Sequence, residues 1–277
     1  MADAADRLVA SPPDLRRAAP PRRGPWRALG RFAVTLGVLV ALWQAVVVLS
    51  GAPPFMLPAP ARVGAALIAQ SGFLARQTLT TLTEVVGGLA IGVAVGAATA
   101  LAIAALPPLR RWLLPVLIVA QAAPVFAIAP LLVLWLGFGL GSKLAMAALI
   151  VFFPVTSAFY DGLRRTDPNL IDLARLYGAS PLKVLLLIRL PSALPAFGTG
   201  LKLAAAAAPI GAVVGEWVGA SSGLGYVMIH ANARMQTDLM FAALIILAAV
   251  AAGLWFAVDW ALARLIHWSP EHGRRDA

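Results

Sequence analysis

The 277-residue chain is 61% hydrophobic and only 12% charged, with a mean hydropathy of +0.85. A soluble domain carries roughly 25% charged residues, so the deficit points to a bilayer as solvent and to one membrane domain. Cysteine is absent, which excludes disulfides, cysteine metal sites and thiol nucleophiles, and the net charge of +10 suits the basic edges of membrane spans.

Residues 1–30 are rich in Ala, Pro and Arg and read as a disordered cytoplasmic tail. A secretory signal would be shorter and end in a small-residue cleavage site. The arginines lack interleaved aromatics, so nucleic acid is not an expected partner. The membrane domain is expected over 31–268, with a second cytoplasmic tail at 269–277.

Six apolar stretches follow, each near the roughly 20 residues a spanning helix needs. They lie at about 32–50, 82–106, 112–136, 143–160, 194–215 and 239–263. A weaker amphipathic piece at 58–77 is expected at the far interface. The second stretch carries Gly87, Gly88, Gly92 and Gly96, and the fifth a small-residue run from Ala204 to Ala208. Small residues let helices approach closely in lipid. The third is interrupted by Pro115, Pro124 and Pro130, which could bend a pore-lining helix. The fold class is therefore all-α, a polytopic membrane protein with six transmembrane helices. With the amino terminus inside, seventeen Lys and Arg fall on the inner side and four on the outer. That bias, and an even span count, place both termini in the cytoplasm.

The loop 161–193 then lies inside and reads as a two-helix elbow. Asp167 and Ser180 can cap its helices, with Pro168 and Pro181 at the first helical positions. Gly178 falls where a chain leaving a helix needs positive φ. Pro191 and Pro195 are expected to punctuate the way into the next span.

This loop resembles the "EAA" loop of binding-protein-dependent ABC importer permeases. The family pattern is Glu-Ala-Ala, three residues, Gly, nine residues, Ile, one residue, Leu-Pro. Here Asp172, Leu173 and Ala174 precede Gly178, and Ile188, Leu190 and Pro191 follow at the same spacing. Asp172 stands for Glu and Leu173 for Ala. Residues 123–143, Phe153 with Pro154, and Ser222 to Tyr226 are similar to the nitrate, sulfonate and taurine branch. Within it, 215–219 and 230–244 are most similar to permeases for the hydroxymethylpyrimidine precursor of thiamine.

The resemblance implies the type I ABC importer permease fold. It implies a second copy of the chain, two cytoplasmic ATPase subunits and an extracytoplasmic solute-binding protein as partners, in a bacterial inner membrane. The chain would hold no cofactor, ATP and Mg being bound by the partner ATPase. Asp172, Ala174, Tyr177 and Gly178 would contact that ATPase. Pro124, Pro130 and Glu216 are candidates for the translocation path or its gating. Asn232, Arg234, Gln236 and Asp238 are candidates for contact with the binding protein. Arg164, Arg165 and Arg175 read as topology anchors, Asp259 and Arg264 as snorkelling or paired, and Trp26, Trp43, Trp217 and Trp268 as interface anchors.

Enzymatic alternatives fail on topology. Ser221 and Ser222 lie in a Gly-rich stretch, but His230 falls in an outer loop and His267 at the inner end, so no base is placed beside them. The Gly137–Lys143 run lacks P-loop spacing, and no metalloprotease motif is present. An ion-coupled secondary transporter is the remaining alternative. It needs more intramembrane acids and a clear internal repeat.

Overall fold

The computed structural model describes residues 25–122, 125–266 and 268 of the chain. All regular structure among them is helical. Helix α1 (Pro25–Ser50) is followed by α2 (Pro60–Ala69), α3 (Ser71–Ala105), α4 (Pro107–Ala122), α5 (Val125–Leu136) and α6 (Leu140–Arg164). The elbow follows as α7 (Pro168–Leu176) and α8 (Pro181–Val184). A π turn (Leu185–Arg189) leads into α9 (Leu190–Gly219), and α10 (Leu224–Ala233) and α11 (Thr237–Leu265) complete the order. Among the described residues, five helices are long and apolar enough to cross a membrane: α1, α3, α6, the continuous α8–α9 unit and α11.

Helices α4 and α5 cover the stretch expected at 112–136, and residues 123 and 124 between them lie outside the described residues. Three expectations change. The piece expected at 58–77 is split, its second half forming the start of the 35-residue α3. Residues 25–30, expected in the tail, already belong to α1. Residues 1–24 and 269–277, the rest of the two expected tails, lie outside the described residues, as does Pro124.

The third change is at Pro191 and Pro195, which sit inside α9. A proline ring collides with the carbonyl four residues back and removes one helical hydrogen bond. The π turn widens the helix just before Pro191: the Leu190 N–H donates to the carbonyl of Leu185, five residues back. The Ser192 hydroxyl donates to the Ile188 carbonyl at 2.8 Å, and that of Thr199 to the Pro195 carbonyl at 3.2 Å. The helix therefore runs on from the elbow into the bundle.

Helix α6 is the centre of the bundle, packed between α3 and α9. The glycines explain the closeness. A Cβ on Gly92 of α3 would lie 2.7 Å from the Ala148 carbonyl and from Val151 of α6. A Cβ on Gly211 of α9 would lie 2.7 Å from Ala147 Cα on the other side of α6. Val85, Val151, Val155, Ala204, Ala208 and Ala212 fill the core between these helices. At the end away from the elbow, Val63, Leu74, Leu224, Val227 and Ala242 join α2, α3, α10 and α11. Trp43 stacks on Phe241 with centroids 5.7 Å apart and its Nε1 buried, so it packs α1 onto α11 rather than anchoring at an interface.

Candidate functional site

The elbow is built by local capping. The Asp167 carboxylate accepts from the Asn169 N–H at 2.9 Å, and the Ser180 hydroxyl oxygen from the Lys183 N–H at 3.4 Å. Gly178 turns the chain between the two helices with φ +74°, a conformation that costs an L side chain about 1–2 kcal/mol. The Gly178 N–H donates to the Arg175 carbonyl and the Ala179 N–H to that of Ala174, closing α7.

No residue of α7 is buried. Leu170, Leu173, Leu176 and Tyr177 all present large apolar surface, the last two 85% exposed. Asp172 pairs with Arg175 at 3.3 Å, both in the open. Asp172, Ala174, Tyr177 and Gly178 are thus brought together at one end of the molecule. Amphipathic helices hide one face, and among the described residues nothing covers this one.

Glu216 lies at the other end and is buried. Its carboxylate accepts from the Thr81 hydroxyl at 2.6 Å and from the N–H groups of Gly225 at 2.5 Å and Tyr226 at 3.2 Å. The Thr81 hydroxyl oxygen accepts from the Leu224 N–H at 2.8 Å, and the Gln77 side-chain oxygen from the Gly223 N–H at 2.6 Å. Four orphan N–H groups at the start of α10 are thereby satisfied, and a carboxylate meets the positive end of the helix. Gly223 has φ +113°, and any Cβ there would strike the Glu216 carboxylate. Glu216 joins α9, α3 and α10.

Pro130 is exposed within α5. Asn232, Arg234 and Gln236 are exposed and Asp238 half-buried, where α10 ends and α11 begins, at the end remote from the elbow.

Three polar features escaped the sequence reading. Lys143, counted as an outer anchor, is buried with its Nζ 2.9 Å from Glu84 Oε1, tying α6 to α3. Lys202 of α9 lies 2.9 Å from Asp259 Oδ1 of α11, while Arg264 stacks over Trp260 at 3.9 Å. Acids and bases inside apolar runs are costly, and that was the available signal for the Lys202–Asp259 pair and for Glu84. The third is a cleft of about 710 Å³ near the elbow, open between α6 and α9 and lined by Asp161, Arg165, Ser192 and Thr199 among others. Its signal was the four-residue step from Asp161 to Arg165 at the end of an apolar helix.

Residues 88–268 match the family described as binding-protein-dependent transport system inner membrane component. The chain belongs to that family. A probable ABC transporter permease protein of Haemophilus influenzae is 52% identical over 84% of this chain and 95% of its own. The riboflavin transport system permease protein RibX of Chloroflexus aurantiacus is 38% identical over 89% of this chain and 92% of its own. The formylaminopyrimidine transport permease protein ThiX of Halalkalibacterium halodurans is 35% identical over 76% of this chain and 84% of its own. Among solved structures, an inward-facing MetNI methionine ABC transporter chain superposes with TM-score 0.62 at 18% identity, covering 72% of this chain and 98% of that one. The fold is that of ABC importer permeases, and this permease falls in the nitrate, sulfonate and taurine branch. As a membrane permease component it is not itself the enzyme; ATP hydrolysis belongs to a separate subunit.

Proposed function

We propose that this permease subunit of an ABC importer works as a homodimer and imports a flat, nitrogen-bearing heterocycle, first among them the pyrimidine precursor of thiamine. The relatives named for formylaminopyrimidine and riboflavin transport support a ring solute over sulfonate, taurine or nitrate. The solute runs between two copies, past the cleft of Asp161, Ser192 and Thr199, whose hydroxyls and carboxylate suit ring N–H groups.

The elbow is the contact for the cytoplasmic ATPase, which binds ATP and Mg. The observation that carries this is α7, an amphipathic helix with no buried residue, hung from α6 and α9. Asp172, Ala174, Tyr177 and Gly178 form its docking face. A rigid elbow passes a partner's push to the bundle, and alternating access needs two bundle states biased by that partner. The turn of Asn232, Arg234, Gln236 and Asp238 then faces the solute-binding protein outside. Both termini lie in the cytoplasm of a bacterial inner membrane, as the distribution of basic residues favours.

The test is purification of this chain from its native membrane in mild detergent, with mass spectrometry of what accompanies it. Recovery of an ATPase subunit in near-equal amount supports the assembly. The co-purified binding protein is then titrated with aminopyrimidines, riboflavin, taurine, an aliphatic sulfonate and nitrate. Tightest binding of an anion would overturn the heterocycle. Transport in vesicles by the chain alone, without ATP, would overturn the importer.

A further inference from the structure

Helices α3 and α6 end near the elbow, and their last carbonyls lack helical partners and carry the negative end of each helix dipole. One side chain serves both. Arg189 Nε donates to the Leu163 carbonyl of α6 at 3.0 Å, and Nη1 to the Ala104 carbonyl of α3 at 3.5 Å. The second bond spans 85 residues of chain. A guanidinium fork is suited to this, because its donors point in fixed, divergent directions and never lose their charge. Around it, Ile103, Phe159, Leu163, Leu185 and Ala193 form a buried apolar cluster, in which such bonds are stronger than in water.

Arg189 is also the last residue of the π turn. A π turn holds one residue more than an α turn, and one residue is about 100° of rotation around the helix. The turn therefore decides which way Arg189 points. The elbow is joined covalently to α6 through residues 165–167 and to α9 through the π turn. It has no such link to α3, whose end it meets through the Arg189 bond and the packing of Leu185 in the cluster with Ala100 and Ile103.

We propose that Arg189 is a positioning residue that makes the elbow and the ends of α3 and α6 move as one body. A displacement of α7 then reaches α3 and α6 instead of being absorbed at the turn. The proposal rests on the elbow being the ATPase contact. Sequence alone counted Arg189 only among the basic residues of the inner side; two carbonyl partners on two helices are more than that charge bias requires.

The chain has no cysteine, so single introduced cysteines label cleanly. The complex with its co-purifying ATPase and binding protein is placed in nanodiscs, with spin labels at Lys183→Cys and Leu106→Cys. Both positions are exposed, beside the elbow and after α3. In the otherwise wild-type chain the label distance is expected to be the same without nucleotide and with ATP trapped by vanadate. Arg189→Gln is expected to insert, to recover the ATPase subunits and to keep basal hydrolysis. Its stimulation by the binding protein should fall about fivefold or more, the scale of a coupling between sites. Its label distance should shift between the two states. Arg189→Lys, which can hold one carbonyl at a time, should restore part of both readouts.

Wild-type stimulation and an unchanged distance in Arg189→Gln would overturn the proposal. If Arg189→Gln fails to insert while Arg189→Lys behaves as wild type in both readouts, Arg189 is a topology anchor and the proposal falls. If the unmutated chain does not retain the ATPase, or retains it after the exposed face of α7 is changed by Asp172→Arg, the elbow reading itself fails. That outcome is separate from any effect at Arg189.

Discussion

Lys143 and Glu84 form an ion pair of 2.9 Å, with their side chains 9% and 1% exposed, where α6 crosses α3. Within a bilayer, neither charge has bulk water to fall back on. Removing one partner strands the other, which typically costs about 3–5 kcal/mol, whereas replacing both by apolar groups of similar volume is often neutral.

Lys143→Met should therefore lower the thermal midpoint of the detergent-solubilised chain sharply and reduce its yield. Glu84→Leu combined with Lys143→Met should recover most of the loss. Size-exclusion behaviour and thermal unfolding of the three chains decide it. A single variant as stable as the double would show that the pair contributes nothing to packing.

Glu216→Gln keeps the size of the side chain and removes the charge that meets the α10 N-terminus. A hydrogen bond to a charged group is worth about 1.5–3 kcal/mol. Hydrogen exchange should rise first at residues 223–227, with the α3–α6 core still protected. Transport should also change, because α10 leads into the turn proposed to face the binding protein. Uniform exchange across both regions would refute a local capping role.

Gly178→Leu and Asp172→Arg should act on docking and leave insertion intact. The φ of +74° at Gly178 makes any side chain there strained, although no atom stands within 4 Å of its Cβ position. The Asp172–Arg175 pair is exposed, and such pairs are worth between nothing and about 1 kcal/mol. Stability should thus fall by no more than about 1–2 kcal/mol while recovery of the ATPase subunit drops. Normal recovery and transport in both variants would move the contact elsewhere.

Gly92→Val should force α3 from α6, since its Cβ would stand 2.7 Å from backbone and side-chain atoms of α6. Overpacking of this kind costs about 1–3 kcal/mol. Gly253→Ala in α11 meets nothing within 4 Å and should unfold at the wild-type temperature. Equal midpoints for the two would mean that α3 and α6 can separate without loss.

Much of the elbow was legible before any coordinates. Asp167, Pro168, Gly178, Ser180 and Pro181 each carry a local instruction, and each was followed. The spans were legible for the same reason, since hydropathy is summed over adjacent residues. The failures share a different cause. Pro191 and Pro195 looked like stops, yet a π turn precedes Pro191 and the helix continues through both. Trp43 looked like an interface residue until Phe241 lay against it.

The sequence by itself determined the bilayer as solvent, the helical class, the elbow and its turn, because these depend on residues a few positions apart. Only the tertiary structure decided what the buried polar groups do. Glu216 finds Thr81 across 135 residues, and Lys143 finds Glu84 on another helix. In a low-dielectric interior a polar group must have a partner, but periodicity does not say which one. That choice is made when α3, α6 and α9 close to backbone contact at their glycines, which sets the side chains that can meet.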